Sequence, residues 1–324
     1  MAPKETQKEG EGAVKGIEGG SAAALDKSHL GGGDECADSG CLSVALGSEA
    51  VAGQGQQRRP DILTVTSWLA PVLWEGTFSR QALQRHYRGR NLTVGLVVFA
   101  PTRSADGHLE RFLRSAITHF MPGQRVVFYL ILDSFVDPPD MQPSPLQSFQ
   151  ILMVGERWWW PDLDLMGLQV LREHLLGHIT DEVDFLFSTA SNLVFQGDFG
   201  LETLGTSVAQ LHAWWYFQNN QSFPYERRPS SAAYIPFGQG DFYYGSAIVG
   251  GLPRQVLALV QECLQGMRQD LESRLNSTYE KHLNKYFFLH RPSKLLSPEY
   301  GWDAKFNLPP QVLYVKVAQD PRVV

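Results

Sequence analysis

Apolar residues alternate along the chain between short β-branched runs and longer stretches with helical spacing. The β-branched runs are almost continuous, which is typical of strands buried on both faces of a sheet. Between the runs, apolar side chains recur every three to four residues, as on one face of a helix. This alternation predicts an α/β fold with a mostly parallel sheet and helices on both faces. The predicted strands are residues 92–99, 125–133, 149–154 and 183–188, and the predicted helices are 108–119 and 165–179.

After residue 200 the pattern becomes mixed. A further strand is predicted at 207–212, and two amphipathic helices are predicted at 253–275 and 277–290. In open parallel sheets, ligands bind beyond the carboxyl ends of the strands. The positions to inspect for a site are therefore Phe99, Ala100, Asp133 and residues 188–192.

Residues 1–59 have a composition unlike the rest of the chain. They are rich in Gly, Ala, Ser, Glu and Lys, and we predict that this segment is disordered, because it cannot offset its ordering entropy by burial. Dense aromatic residues begin at Trp68, so residues 60–324 are predicted to form the folded domain. The chain contains no run of 18 or more apolar residues, and no transmembrane segment is predicted.

Composition and charge narrow the function classes. The 324 residues are 43% hydrophobic and 19% charged, which is enough apolar material for a globular core. A net charge of -6 argues against a nucleic-acid partner, since phosphate contacts need clustered Lys and Arg. Three cysteines cannot form a disulfide framework, and Cys263 is expected to be a buried thiol in a helix.

Three N-glycosylation sequons occur, beginning at Asn91, Asn220 and Asn276. Such acceptor sites are used in proteins that enter the secretory pathway. Coincidence remains an equally good explanation of three short matches, so both readings stay open.

Eight motifs follow one another from residue 68 to residue 300. They are WLAPVLWEGT at 68–77, HFM at 119–121, EVDF at 182–185, LHAWW at 211–215, YERRP at 225–229, GDFYY at 240–244, HLNKY at 282–286 and LSPEY at 296–300. In kind and order they resemble glycosyltransferase family 6, which includes the blood-group A and B transferases, the α-1,3-galactosyltransferase and the Forssman synthase.

The resemblance implies a GT-A fold, in which a Rossmann-like nucleotide-binding half is fused to an acceptor-binding half. It also implies retaining transfer of Gal or GalNAc, from UDP-Gal or UDP-GalNAc, to a β-galactoside on a glycan or glycolipid. Members of the family resemble Golgi proteins with a type II membrane anchor. Residues 1–59 contain no anchor helix, which leaves a variant start or a product not retained in the Golgi as alternatives.

Family motifs assign roles to individual residues. Glu280 matches the catalytic carboxylate, which lies near the anomeric carbon and can attack it or stabilise its positive charge. The tripeptide Gly245-Ser246-Ala247 matches the segment that tunes Gal against GalNAc, and its small residues leave room for an N-acetyl group. Five positions match acceptor-binding residues of the family: His212, Trp214, Trp215, Trp302 and Asp303. The indole faces of the tryptophans can cover a sugar ring.

The metal site departs from the family pattern. The family's Asp-Val-Asp binds Mn²⁺, but this chain has Ala190, Ser191 and Asn192. Hard cations need oxygen ligands, preferably charged, and Asn192 offers one neutral carbonyl at most. The family's basic donor contacts are also weakened, with Gly167 at one position and Arg322 as the last basic residue.

Two hypotheses follow from the sequence. In one, the chain is a retaining hexosyltransferase impaired by its degenerate metal site. In the other, it is a pseudoglycosyltransferase that acts as a glycan-binding or chaperone-like protein.

Overall fold

The computed structural model describes residues 59–100, 106–133, 140–154 and 162–320, so the segment predicted to be disordered lies almost entirely outside the described residues. Ten strands are found in this part of the chain: β1 Val72–Leu73, β2 Thr93–Ala100, β3 Arg125–Asp133, β4 Gln147–Val154, β5 Phe185–Ala190, β6 Leu193–Phe195, β7 Ser207–Leu211, β8 Tyr244–Gly251, β9 Lys294–Leu296 and β10 Val317–Gln319. The α-helices of the same part are α1 Arg80–Tyr87, α2 Asp106–His119, α3 Leu163–His174, α4 Thr180–Glu182, α5 Pro253–Glu272 and α6 Tyr279–Leu289.

Eight of these strands form one sheet in the order β1-β9-β7-β8-β5-β2-β3-β4, and β10 pairs separately with β6. Strand β8 runs antiparallel to both β5 and β7, whereas the other neighbouring strands in the sheet run parallel. The predicted α/β architecture with a mostly parallel sheet is therefore confirmed. The sheet has a Rossmann-like side, β5-β2-β3-β4, and a second side, β1-β9-β7, joined through β8.

Alternate residues of β2 show how the sheet separates two cores. Val97 belongs to a cluster that includes residues of α3, α5 and α6, while Leu96 and Val98 belong to a cluster that includes residues of α2. Successive side chains of a strand point to opposite faces, so a continuous apolar run is what a sheet covered on both faces requires. The prediction of helices on both faces is confirmed.

The helix boundaries near the site have local causes. Helix α3 is capped by Asp162, whose side chain accepts hydrogen bonds from the backbone of Asp164 and Leu165. The predicted helix 165–179 is not uniform, because a π-helical turn occupies residues 175–179. The predicted helix 253–275 ends early, at Glu272, and Arg274 has a φ of 56° that no α-helix can contain.

Two further sequence predictions can be compared with the fold. Cys263 is buried in α5, as predicted, and burial raises the pKa of its thiol. Within the described ranges, no helix has the length and apolarity needed to cross a lipid bilayer.

Candidate functional site

A cavity of about 630 Å³ opens where β2, β5 and β7 reach their carboxyl ends and β8 begins. The start of α3 and the first turn of α6 close two of its sides. This is the edge at which parallel sheets bind ligands. Among the residues assigned from sequence, those that line the cavity are Phe99, Ala190, Asn192, His212, Gly245, Ser246, Ala247, Glu280 and Asp303.

Glu280 is held firmly in this cavity. Tyr243 donates its hydroxyl to Glu280 Oε1 at 2.8 Å. Ser246 donates to Oε2 twice, from its backbone N–H at 3.2 Å and from Oγ at 3.1 Å. Glu280 also lies in the first turn of α6, where the helix dipole favours a negative charge. The carboxylate is thus held by three hydrogen bonds from Ser246 in β8 and from Tyr243 directly before that strand.

Tyr243 supports this arrangement as a donor. Burial, with the nearby Glu280 charge as a smaller cause, raises the pKa of the Tyr243 phenol. The phenol therefore keeps its proton at neutral pH and can only donate it to the carboxylate. Tyr243 itself packs edge-on against His212 and Trp215.

Asn284 joins the helix that carries Glu280 to strand β8. Its Oδ1 accepts from the backbone N–H of Tyr244 at 2.9 Å, and its Nδ2 donates to the carbonyls of Tyr244 at 2.9 Å and Glu280 at 2.8 Å. The side chain is only 1% exposed. These bonds fix the position of α6 relative to β8, the strand that contains the Gly-Ser-Ala tripeptide.

The expected acceptor end is lined by His212 and Asp303, and aromatic rings stand at its edge. Burial lowers the pKa of His212, so its imidazole is neutral at pH 7. The ring accepts a hydrogen bond at Nδ1 from the backbone N–H of Trp214 at 3.2 Å. Trp214 is 41% exposed and lies against Phe306, a cavity residue, with ring centroids 4.7 Å apart. Together they form an exposed aromatic face of the kind that sugars stack on.

Two tryptophans assigned to the acceptor side do not line the cavity. Trp215 is half-buried against His212 and Tyr243, with centroids 6.5 and 6.1 Å away. Trp302 is buried and packs edge-on against Phe217 and Phe306. Both rings therefore lie behind residues that line the cavity and support them by packing.

The donor end lacks the chemistry of a divalent-cation site. Ala190 offers no ligand atom, while Ser191 and Asn192 offer one hydroxyl and one neutral amide. The backbone carbonyl of Asn192 already accepts from the N–H of Asp320 at 2.7 Å. In the described part of the chain, no group of three or more His, Cys, Asp or Glu side chains could hold a metal ion. The residues at this position do not fit Mn²⁺.

The predicted loss of a basic side chain near the donor also has a structural counterpart. A Cβ added at Gly167 would lie 3.1 Å from atoms of the Phe99 ring. Phe99 thus occupies the space beside α3 that a longer side chain at residue 167 would need.

Two other positions assigned to the donor are Ala100 and Asp133. Ala100 is fully buried in the core on the opposite face of the sheet from Val97, and it does not line the cavity. Asp133 ends β3, where its backbone pairs with Val154, and its side chain lies outside the described part of the chain. Phe99, one residue before Ala100, is the part of this segment that faces the cavity.

The charge of the cavity is negative. Its described lining contains the carboxylates of Asp164, Glu280 and Asp303 and neither lysine nor arginine. A diphosphate entering this space would meet like charges without a counter-ion from these residues.

Several residues of the site were not found from the sequence. Asp164 and Gln210 line the cavity, Tyr243 holds Glu280, and Phe306 adds an aromatic face. A signal existed for Gln210, since a lone polar residue within the apolar stretch 208–211 must find a polar partner when the strand is buried. Asp164 and Phe306 carried no comparable signal.

The three sequon asparagines, Asn91, Asn220 and Asn276, are all exposed. Asn91 lies just before β2 in the left-handed region, with a φ of 51°. Exposure is what glycosylation of these side chains would require, and the modification itself stays a prediction.

The sheet and the carboxylate-bearing cavity at its edge define a glycosyltransferase domain of the GT-A type. The sequence model of glycosyltransferase family 6 matches residues 49–323, so this chain belongs to that family. Members of the family use nucleotide-sugar donors and glycan acceptors.

Individual relatives agree with this assignment. The chain is 60% identical over 264 residues to glycosyltransferase 6 domain-containing protein 1 of Macaca fascicularis, covering 82% of this chain and 86% of that protein. It is 40% identical over 261 residues to globoside alpha-1,3-N-acetylgalactosaminyltransferase 1 of Gallus gallus, covering 80% and 76%. It is 36% identical over 272 residues to histo-blood group ABO system transferase 2 of Rattus norvegicus, covering 82% and 81%.

Proposed function

We propose that this chain is a slow, metal-independent retaining transferase that moves Gal or GalNAc from a UDP-sugar to a β-galactoside. The observation that carries the proposal is the Glu280 carboxylate, fixed by Tyr243 and Ser246 inside a cavity that also holds His212 and Asp303. A carboxylate held in this way can stabilise the positive charge that develops on an anomeric carbon.

In the proposed reaction the bond between the sugar's C1 and the UDP oxygen breaks, and its electron pair leaves with the diphosphate. The acceptor hydroxyl oxygen forms the new bond to C1, and its proton passes to the departing phosphate. Glu280 stabilises the charge on the sugar ring, and the neutral imidazole of His212 and the carboxylate of Asp303 hydrogen-bond the acceptor. Small residues at 245–247 leave space beside the sugar, which suits the N-acetyl group of GalNAc.

The rate is expected to be low. Neutralisation of a leaving group by a metal is worth several kcal/mol, so turnover should be about a thousandfold or more below that of a metal-dependent enzyme. Incubation of the purified protein with radiolabelled UDP-GalNAc or UDP-Gal and a lactoside measures transfer directly. We expect slow product formation that EDTA does not change and that Glu280→Gln abolishes. Absence of product over days from both donors would refute catalysis.

A second function is favoured by the negative lining of the cavity. Three carboxylates in a described lining that contains no lysine or arginine disfavour a diphosphate but accept hydrogen bonds from sugar hydroxyls. The alternative is therefore a pseudoglycosyltransferase that binds galactosides and performs no transfer. Calorimetric titration with UDP, and separately with methyl β-galactoside, distinguishes the two. Galactoside binding without UDP binding supports the alternative.

Restoring the family's acids tests the metal argument. The double variant Ala190→Asp/Asn192→Asp adds two carboxylates to a cavity that is already negative, so we expect it to lose thermal stability in EDTA. If Mn²⁺ then binds, a free concentration of about 100 times its Kd should increase the free energy of unfolding of the variant by roughly 2.7 kcal/mol. The unmodified protein should show no stabilisation by Mn²⁺. A Mn²⁺-dependent rise in its melting temperature or its turnover would contradict the proposal.

We further propose that the protein passes through the secretory pathway and acts in the Golgi. The exposed sequon residues Asn91, Asn220 and Asn276 support this location. Expression in mammalian cells, followed by removal of N-glycans, should decrease the mass of the protein. The triple Asn→Gln variant is the matched control. An unchanged mass in the parent protein would count against the location.

A further inference from the structure

Gln210 is a polar residue in the buried part of the sheet. It lies in β7, between β8 and β9, immediately after an irregularity in the pairing of β7 with β8 at Ala209. Its side chain is only 2% exposed, and it contributes to the lining of the cavity. A residue so enclosed should have its hydrogen-bonding capacity filled by the protein or by a ligand.

The protein fills only part of that capacity. Gln210 Nε2 has a long hydrogen bond of 3.5 Å to the carbonyl oxygen of Gly301. Gln210 Oε1 is buried and has no partner in the part of the chain that the structure describes. Leaving a buried acceptor without a partner costs about 1–3 kcal/mol. An apolar residue would avoid this cost, so the glutamine at this position calls for a role in binding.

Two glycines make room for this amide. A Cβ on Gly301 would overlap Gln210 Nε2, and a Cβ on Gly245 would lie 3.1 Å from Gln210 Oε1. Gly301 has a φ of -179°, which any residue can adopt. Glycine is therefore needed here for the space that the Gln210 amide occupies and not for its backbone conformation. Both glycines also line the cavity.

A second unpaired polar atom lies close by in the chain. Trp302 Nε1 is buried without a hydrogen-bond partner among the described residues, and the two residues flanking Trp302 both line the cavity. Of these two unpaired atoms, only Gln210 Oε1 belongs to a residue that lines the cavity. A sugar hydroxyl that enters the cavity can donate a hydrogen bond to this oxygen.

We propose that Gln210 is a specificity-determining residue of the acceptor end, and that its Oε1 accepts a hydrogen bond from one hydroxyl of the bound galactoside. The inference rests on the proposed function, since it requires that a galactoside occupies this cavity. It goes further by naming a contact that selects for a hydroxyl at one position of the sugar ring.

The first test is Gln210→Met, which keeps the length of the side chain and removes its polar atoms. Because the orphaned oxygen disappears, we expect an unchanged or higher melting temperature. We also expect the Kd for methyl β-galactoside, measured by calorimetry, to rise about tenfold. Gln261→Met, on the exposed face of α5, is the control and should alter neither quantity.

The second test uses monodeoxy analogues of methyl β-galactoside. One analogue should bind the parent protein about tenfold more weakly than the full sugar, and Gln210→Met should bind both equally. Gly301→Ala, which displaces the amide without altering it, should reproduce this loss of discrimination.

The outcomes separate the two proposals. A parent protein that does not bind the galactoside refutes the proposed function and this inference together. A parent protein that binds, with a Gln210→Met variant that binds equally well and discriminates the analogues equally well, refutes the inference alone. A Gln210→Met variant that unfolds at a lower temperature and binds with full affinity assigns Gln210 to structure only.

Discussion

Replacing Asn284 with alanine should disturb both the stability of the domain and the position of Glu280. The substitution removes an amide that is 1% exposed and that bonds both backbone groups of Tyr244. The third bond, to the Glu280 carbonyl, disappears as well. In the variant, the N–H and carbonyl of Tyr244 become buried groups whose side-chain partner is missing.

The magnitude follows from these groups. Each newly unpaired buried group costs about 1–3 kcal/mol, so the two Tyr244 groups together should cost about 2–6 kcal/mol. A domain of this size shifts its melting temperature by roughly 2–4 °C per kcal/mol, which gives a decrease of about 4–24 °C. Because Glu280 lies in α6 and moves with this helix, the variant should also lose whatever transfer activity the parent protein shows.

Urea unfolding, thermal unfolding and the labelled-donor assay measure these effects. Asn219→Ala is a suitable control, since Asn219 caps a short exposed turn and its loss should cost about 1 kcal/mol or less. Asn284→Asp should be nearly as harmful as alanine, because an acceptor would then face two carbonyl oxygens. An Asn284→Ala variant within 1 kcal/mol of the parent would refute the reasoning.

Three further substitutions address the core, an ion network and the pH dependence. Gly250→Ala places a Cβ into the ring of Phe187 and should decrease the free energy of unfolding, measured by thermal unfolding, by about 1–3 kcal/mol. In Gly177→Ala no atom lies within 4 Å of the new Cβ, so this variant should increase the free energy of unfolding by about 0.5–1 kcal/mol. Equal effects would refute this contrast. Lys316→Met removes a 3% exposed ammonium that lies between two carboxylates and should cost about 3–5 kcal/mol in urea unfolding, so a loss below 1 kcal/mol would contradict it. Since burial lowers the pKa of His212 in the folded protein, its contribution to stability is complete above the unfolded value of about 6.5 and is lost as the pH falls through the folded value. His212→Gln should therefore flatten stability between neutral and acid pH, and an NMR titration that gives His212 a pKa above 6.5 would exclude this account.

Much of the fold could be predicted because its sheet is buried on both faces. The runs 92–99 and 125–133 match β2 and β3 to within one residue, since both are almost continuously apolar. Helix ends were less accurate where the cause lies in backbone conformation, as at Arg274. The antiparallel direction of β8 left no trace in its own sequence, because strand direction depends on the connection and not on the residues of the strand.

Motifs pointed to some of the residues that the structure brings to one cavity, and tertiary structure adds others. Glu280 and His212 came from motifs, and the structure brings both to one cavity. Tyr243 acts through a contact with a residue far along the chain, which no local pattern reveals. Gln210 is visible in the sequence only as a polar residue in an apolar strand, and its partner Gly301 is not. Ala100 neighbours Phe99 in sequence but faces the other way, since alternate residues of a strand point to opposite faces.

Strand β8 is hydrogen-bonded to β5 on one side and to β7 on the other, and its first residues hold the carboxylate of Glu280. A substitution at Ser246 therefore acts directly on the acid, in a strand that links both halves of the sheet. Under the proposed function, a change at Ser246 that alters the choice of donor sugar would also alter the rate, because the same residue holds the acid. A new donor preference would then require compensating substitutions on α6.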